Sequence, residues 1–342
     1  MTKAAFAPKR QICYTSCMIA DRTMKAAVVT GYGSPERLTL CDVPTPQPAK
    51  NEVRVRVHAS TVNRTDTATL RAHPFFMRAA TGLLRPQMQS LGMDFAGVVD
   101  ALGTEVSSFQ VGDRVFGMSS ERFGAHAEYL CIPVEDAIAH IPEGIPYDQA
   151  VVGEGAWYAH GTTKLLTEGK RCLIYGASGA IGTAAVQLAK ANGAYVVAVV
   201  GTRHTSLANA LGADRVVNYE TEDFTAIGET FDLVFDAVGK TSRRACRPLL
   251  KKNAVYCATD MGPYWSNMLL AIWFGLTGSK RVRIPFPEDA PGFIKHLADL
   301  MAQGKFRGVF DRTYPLKEIA SAFQYVETEQ KTGIVGVDTL GK

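Results

Sequence analysis

Between Met24 and residue 148 the apolar positions fall in short runs separated by turn residues. Glu52–Ala59, EVRVRVHA, alternates apolar and polar with period two, which predicts a half-buried strand. Lys25–Thr30, Gly97–Ala101, Arg114–Gly117 and His126–Ile132 predict further strands. Pro44, Pro46 and Pro48 form an extended connector, and Leu102-Gly103 and Val111-Gly112-Asp113 mark turns. This part of the chain reads as a β-rich unit.

The pattern changes near Gln149. A helical stretch over Gln149–Leu166 leads into Arg171–Val200, which reads strand, turn, helix, strand. Arg171–Tyr175 is a short apolar run of the kind buried in a parallel sheet. Ile181, Ala185, Leu188 and Ala189 lie on one helical face, Gly193 is placed to end that helix, and Tyr195–Val200 is a second β-branched run. Helix and strand then keep alternating. Ser206–Leu211 predicts helix, Arg215–Asn218 and Phe231–Asp236 strand, Thr241–Leu250 helix, and Ala254–Ala258 and Val282–Phe286 strand. Helices at Gly292–Gln303 and Leu316–Val326 and a strand at Gly333–Val337 close the chain. Such alternation requires an α/β fold with a doubly wound parallel sheet.

Composition narrows the function. The 342 residues suggest about two domains, and 46% hydrophobic with 20% charged residues is ordinary for a globular chain. The net charge is +4 with no basic block, which argues against nucleic acid as a partner. The longest apolar stretch, Met268–Leu276, falls far short of the roughly 20 residues of a membrane span, so no membrane role is expected; it reads as a packed helix or an oligomer contact. Seven scattered cysteines, with no CxxC pair, read as core residues of a reducing compartment, and the expected location is cytoplasmic. Residues 1–23 carry Lys3, Lys9 and Arg10 and no acid before Asp21. They lack a secretory apolar core, and are expected to be a disordered extension or a stretch ahead of a start at Met24.

The chemistry sits in the glycines. Gly176, Gly179 and Gly182 fall three apart between a strand and a helix, although Ala177 interrupts the strict GxGxxG spacing. A turn without side chains lets backbone approach a pyrophosphate, and the helix start at Ser178, Ala180 and Ile181 offers free N–H groups and partial positive charge. A NAD-binding unit usually places an acid about twenty residues on, to bond the ribose 2′-OH. Here that place reads Gly201-Thr202-Arg203-His204. A hydroxyl at Thr202 and a guanidinium at Arg203 suit a 2′-phosphate, so the expected cofactor is NADPH. Tyr219 is a candidate for the adenine side. Val238, Gly239 and Thr259 lie at the carboxyl ends of predicted strands, where open α/β sheets bind ligands.

Four stretches carry a family likeness: VNRTD at Val62–Asp66, LGMDFAGVV at Leu91–Val99, VGDRVFG at Val111–Gly117 and YGASGAIGTAAVQLAK at Tyr175–Lys190. FDAVG at Phe235–Gly239 and KTGIVGV at Lys331–Val337 fit as well. The chain resembles the medium-chain dehydrogenase/reductase superfamily, on its zinc-free, quinone-oxidoreductase-like side, from about Met24 to Val337. The resemblance implies a GroES-like β-rich domain, residues 24–148 plus 288–342, into which a Rossmann domain, residues 149–287, is inserted. It also makes a homodimer an expectation, since many members are dimers.

Zinc-dependent members of the superfamily hold their metal with a cysteine and a Gly-His-Glu histidine. Those positions are Asn63 and Met93 here, a poor and a soft neutral ligand, and no metal site is expected. Without a Lewis acid, hydride transfer favours a substrate already activated by conjugation. The expected activity is therefore NADPH-dependent reduction of quinones or α,β-unsaturated carbonyls. Asn63 is expected to hold the substrate oxygen, and Tyr158 or His160 to supply the proton. The apolar segments 73–86 and 262–280 point to a hydrophobic small-molecule substrate. Two alternatives stand beside this one. One is an enoyl reductase of a biosynthetic pathway. The other is a non-catalytic NADPH-binding protein of structural or regulatory kind, suggested by Ala68, where some quinone reductases of the family carry a tyrosine.

Overall fold

The computed structural model describes residues 22–341, except 74, 76, 77, 85, 87, 261, 263, 264, 278–280 and 286. The expectation for the N-terminal extension lies almost wholly outside the described residues. Strands β1 (Thr23–Val29) and β2 (Leu38–Pro44) pair antiparallel. Strand β3 (Glu52–Val62) runs directly into helix α1 (Arg64–Arg71), and a single turn, α2 (Arg78–Thr81), follows. Then come β4 (Asp94–Leu102), β5 (Arg114–Met118), β6 (Tyr129–Pro133) and β7 (Ala137–His140). Helices α3 (Tyr147–Ala150) and α4 (Gly153–Thr163) lead out of this unit.

The middle of the chain alternates as its pattern predicts. It runs β8 (Arg171–Tyr175), α5 (Ala180–Ala191), β9 (Tyr195–Val200), α6 (Thr205–Ala210), β10 (Arg215–Asn218), β11 (Phe231–Asp236), β12 (Leu250–Ala258), α7 (Ser266–Leu276) and β13 (Val282–Arg283). The six strands form one parallel sheet in the order β10-β9-β8-β11-β12-β13. Counted from β8, that order is 3-2-1-4-5-6, the doubly wound Rossmann arrangement. Its central strands are apolar without alternation because helices cover both faces: Leu173, Val197, Val199, Val234 and Phe235 are completely buried.

After α8 (Ala290–Ala302) the chain returns. Strand β14 (Phe310–Pro315), helix α9 (Ile319–Glu327) and strand β15 (Ile334–Asp338) join the first unit. The second sheet runs β14-β15-β3-β4-β5-β7, with β6 also on β3. Val335 of β15 lies opposite Val62 of β3, so the end of the chain completes the GroES-like sheet.

One predicted helix is absent. Thr241–Leu250 forms turns and a short 3-10 segment at Arg247–Leu249. The buried Asp236 carboxylate takes the N–H groups of Gly239 (2.8 Å) and Thr241 (2.9 Å) in a turn, and Pro248, inside the expected helix, has no N–H to give and would clash with the preceding turn. Val282–Phe286 shortens to two strand residues for a related reason, since Pro285 cannot join a ladder.

His126 ties β3 to the loop before β4. It is completely buried, its Nε2 lies 2.8 Å from the Thr61 carbonyl, and its ring packs edge-on against Phe323. Gly92, at φ +88°, leaves room for it; a Cβ there would come 2.5 Å from the imidazole. Burial holds the His126 pKa down at about 4, against the ordinary 6.5. Below pH 6.5 the unfolded chain takes up a proton that the folded chain refuses until about pH 4, so His126 removes stability as pH falls through that window. The expected loss from this group between pH 7 and 5 is about 2 kcal/mol. Urea unfolding at both pH values checks it. The wild type should lose about that much more than His126→Gln, which keeps an N–H donor but does not titrate.

Candidate functional site

The carboxyl ends of the parallel strands carry the loop the glycines predict. Gly176 leaves β8 at φ +77°, a left-handed conformation that glycine adopts without strain, and a Cβ there would strike Val238 at 2.6 Å. Gly182 sits in the first turn of α5, where a Cβ would lie 2.1 Å from the Gly176 carbonyl oxygen. Its absence lets the helix press onto the turn. Gly179 is different: a Cβ there would meet nothing nearer than 3.8 Å, so the side of the turn it faces is open. It directly precedes the twelve-residue α5, whose first N–H groups have no partner within the helix. Open space, close backbone approach and a helix N-terminus together fit the pyrophosphate of a dinucleotide. Ser178, Ala180 and Ile181 lie in the same turn.

The other predicted cofactor residues surround this loop. The Gly239 N–H is held by Asp236, and Thr259 follows β12 with its N–H on the Asp236 carbonyl at 3.1 Å. Tyr219 is half exposed, its ring centroid 6.2 Å from that of Tyr175. Thr202 and Arg203 follow β9, as predicted, but both are already engaged. The Thr202 hydroxyl donates to Glu220 at 2.6 Å, and Arg203 donates to the Gln330 carbonyl at 2.9 Å. The sequence showed no acid directly after the second strand; the fold brings Glu220 there from the end of β10. The C-terminal segment also closes on the loop, with the Gly333 N–H on the Ser178 carbonyl at 2.8 Å.

Below the loop lies a buried polar floor. Asn63 precedes α1 and is 6% exposed. Its amide donates to the Thr61 hydroxyl (2.8 Å) and to Asp94 (3.1 Å), so both of its hydrogens are spent inside the protein. Asp94 also accepts from the Thr61 hydroxyl and from the Glu154 N–H, each at 2.8 Å. Asp66 accepts from the N–H groups of Asn63 and Gly92. Burial pushes the Asp94 carboxyl up to about 6 and the Asp66 carboxyl up to about 7.

Glu154, which sequence reading passed over, opens α4 in the same floor. It is 4% exposed and accepts a hydrogen bond from the Thr65 hydroxyl, while its Oε2 has no partner among the described residues. Burial, then the nearby Asp66 and Asp94, raise its pKa well above the carboxylate range. Tyr158 stands one helical turn on, on the same face of α4. Burial raises its phenol pKa as well. Lys331, beside the glycine loop, donates to the Gly333 carbonyl at 2.6 Å; burial holds its pKa down at about 8, with Glu154 opposing. His160 points elsewhere. Two residues beyond Tyr158, it is on another face of the helix and packs against Phe293 and His296. The structure thus brings Asn63 and Tyr158 into one region and leaves His160 outside it.

The zinc position does not fit a metal. Asn63 is committed to hydrogen bonds, and Met93 is 5% exposed within the hydrophobic core. Among the described residues, no group of three or more His, Cys, Asp or Glu is placed to hold an ion. No helix among those residues is long and apolar enough to cross a membrane.

Residues 49–143 match the family profile described as the alcohol dehydrogenase GroES-like domain, and residues 211–335 the one described as zinc-binding dehydrogenase. The chain is 35% identical over 321 residues to a quinone oxidoreductase of Sus scrofa, spanning 89% of this chain and 94% of that protein. It is 28% identical over 341 residues to a chloroplastic NADPH-dependent alkenal/one oxidoreductase of Arabidopsis thaliana, spanning 92% and 80% of the two. The solved structure of the quinone oxidoreductase from Coxiella burnetii matches with a TM-score of 0.80 at 27% identity, covering 93% of this chain and 100% of that one.

The close approach at Gly182 gives a direct check. In Gly182→Ala the new methyl meets backbone, which cannot swing aside, so α5 must move off the turn. A stability loss of roughly 1–3 kcal/mol is expected by denaturant unfolding, together with weaker nicotinamide-cofactor binding by fluorescence titration.

Proposed function

We propose a function for a chain that belongs to the medium-chain dehydrogenase/reductase superfamily, on its quinone-oxidoreductase-like side: NADPH-dependent reduction of quinones and α,β-unsaturated carbonyls without a metal. Membership makes it an oxidoreductase with a nicotinamide cofactor. The observation that carries the finer reading is the replacement of the metal position by a hydrogen-bonded floor of Asn63, Asp94 and Thr61. An amide and a thioether polarise an oxygen poorly, so the substrate must carry its own activation by conjugation.

The bound cofactor supplies a hydride. Gly176, Ser178, Gly179 and the start of α5 hold its pyrophosphate, and Val238, Gly239 and Thr259 border its path along the strand ends. Arg203 and Thr202, with Tyr219 beside them, receive the adenosine end. For a 2′-phosphate to bind there, Arg203 exchanges the Gln330 carbonyl for the phosphate, a stronger charged partner. Asn63 shapes the floor of the substrate site, and Tyr158 faces it as the proton donor. Exposed apolar side chains at Phe75, Leu83, Leu84, Ile272 and Trp273 suit a hydrophobic substrate. The five described cysteines are free thiols, which suits a reducing compartment.

Purified protein mixed with NADPH and a panel of enones, enals and quinones should consume the cofactor well above background. No consumption with any of them, despite tight NADPH binding, would favour the non-catalytic alternative. Arg203→Ala tests the choice of cofactor. NADPH affinity should fall by about tenfold, the scale of one charged hydrogen bond, while NADH affinity changes little. Equal losses for both would assign Arg203 to loop support through Gln330.

A further inference from the structure

Helix α7 is apolar on both of its sides. Its sequence, Ser266–Leu276, holds no charged residue. Leu270, Ala271 and Phe274 pack on the core cluster of the parallel sheet that includes Leu249, Tyr256 and Val282. A helix seated in this way normally turns charged residues outward. Here Leu269, Ile272, Trp273 and Leu276 face the other way and are 53% to 82% exposed. They fall at i, i+3, i+4 and i+7, which makes one continuous stripe. Single exposed apolar residues mean little, but a stripe aligned along one helix marks a surface that meets something other than water.

The charge around the stripe points to what it meets. Residues 240–287 hold nine lysines and arginines against one acid, Asp260, although the whole chain carries only +4. Lys240 and Lys251 are paired, with Glu329 and Asp232. Arg243, Arg244, Arg247, Arg281 and Arg283 are in no ion pair among the described residues. Three segments bring these arginines to α7. The Arg243 guanidinium lies 5.0 Å from the ring centroid of Phe274, and its Nε has no hydrogen-bond partner among the described residues. Arg281 and Arg283 flank Val282, and Arg247 opens the 3-10 segment that ends at Leu249; both apolar residues belong to the cluster on which α7 packs. A second copy docking through the same face by two-fold symmetry would set this charge against itself. An anionic surface neutralises it.

We propose that the outer stripe of α7 and the arginines beside it form an adsorption surface for an anionic lipid bilayer. The stripe enters the boundary between headgroups and acyl chains, with Trp273 at the depth tryptophan favours, and the guanidinium groups pair with lipid phosphates. At eleven residues, roughly 16 Å, α7 is too short to cross a membrane and lies along its surface. This attachment differs from the spanning helix that the sequence excludes. It goes beyond the reductase reading and does not depend on it. It does place lipid close to the expected cofactor path. Asn267, in the first turn of α7, donates to Asp260 at 3.1 Å, and a Cβ on Gly239 would come 2.4 Å from the Asp260 carboxyl carbon.

Co-sedimentation with vesicles tests the surface. The full chain is mixed with vesicles of phosphatidylcholine alone and of phosphatidylcholine with phosphatidylserine. It should sediment with the mixed vesicles, far less with the neutral ones, and the association should fade as salt is raised. Arg247→Ala combined with Arg281→Ala should weaken it about fivefold for each charge removed. Leu269→Gln combined with Leu276→Gln should weaken it at least about tenfold. All four side chains are exposed, so thermal unfolding midpoints should stay at the wild-type value and show that the variants fold. Arg56→Ala, an exposed arginine of β3 away from α7, should leave association unchanged. No sedimentation of the wild type with mixed vesicles, equal sedimentation with both kinds, unchanged association in either double variant, or an equal loss per charge in Arg56→Ala overturns the proposal. So does a dimer, seen by light scattering, that the two leucine substitutions split while vesicles stay unbound; that result assigns the stripe to a second copy. A protein that binds the mixed vesicles but oxidises NADPH with no substrate overturns the enzyme reading and leaves this surface standing.

Discussion

One buried carboxylate holds the two halves of this molecule in register. Asp94 accepts from the Thr61 hydroxyl at the end of β3, from the Asn63 amide before α1 and from the Glu154 N–H at the start of α4. Taking a carboxylate out of water costs on the order of several kcal/mol, and only well-aligned donors offset that. The three donors come from different elements, so the cost is met only when all of them are in place. The joint between the GroES-like sheet and the parallel sheet is therefore specified by polar geometry as well as by apolar packing. Gly153 beside it cannot carry a side chain, since a Cβ would strike Met118 at 2.3 Å.

That joint also sets the surroundings of three buried acids. Of the two positions that bind metal in zinc-dependent relatives, Asn63 belongs to a hydrogen-bonded floor here and Met93 to the apolar core, and the acids around the floor lie close to one another. Burial raises Asp94, Asp66 and Glu154 above the ordinary carboxylate range, and the neighbouring carboxylates add to it for Asp94 and Glu154.

Much of the fold was legible because its signals are local. The runs Arg171–Tyr175 and Tyr195–Val200 are strands at the residues expected, since a doubly covered sheet needs unbroken apolar stretches and the glycines mark the turn. Thr241–Leu250 does not form a helix: Asp236 holds the chain in a turn up to Thr241 and Pro248 interrupts the rest, which an apolar periodicity does not register. The site was less legible. Glu154 and Thr65 are 89 residues apart, and nothing near either announces the other. The spacing of Glu154 and Tyr158, one helical turn, was present in the sequence but needed a partner to acquire meaning. Glu220 escaped for a similar reason, since it reaches Thr202 from the end of the next strand.

The contact between Gly333 and Ser178 has a consequence for biosynthesis. A ribosome releases the phosphate turn, with its strands and helix, long before it reaches the segment that docks on that turn. The crossover units can form as they emerge, while the other sheet waits for its last two strands. An interrupted translation product would then keep the look of a nucleotide fold and lack a finished pocket. In this topology the glycine turn gains its last contact only once the segment around Gly333 has been made.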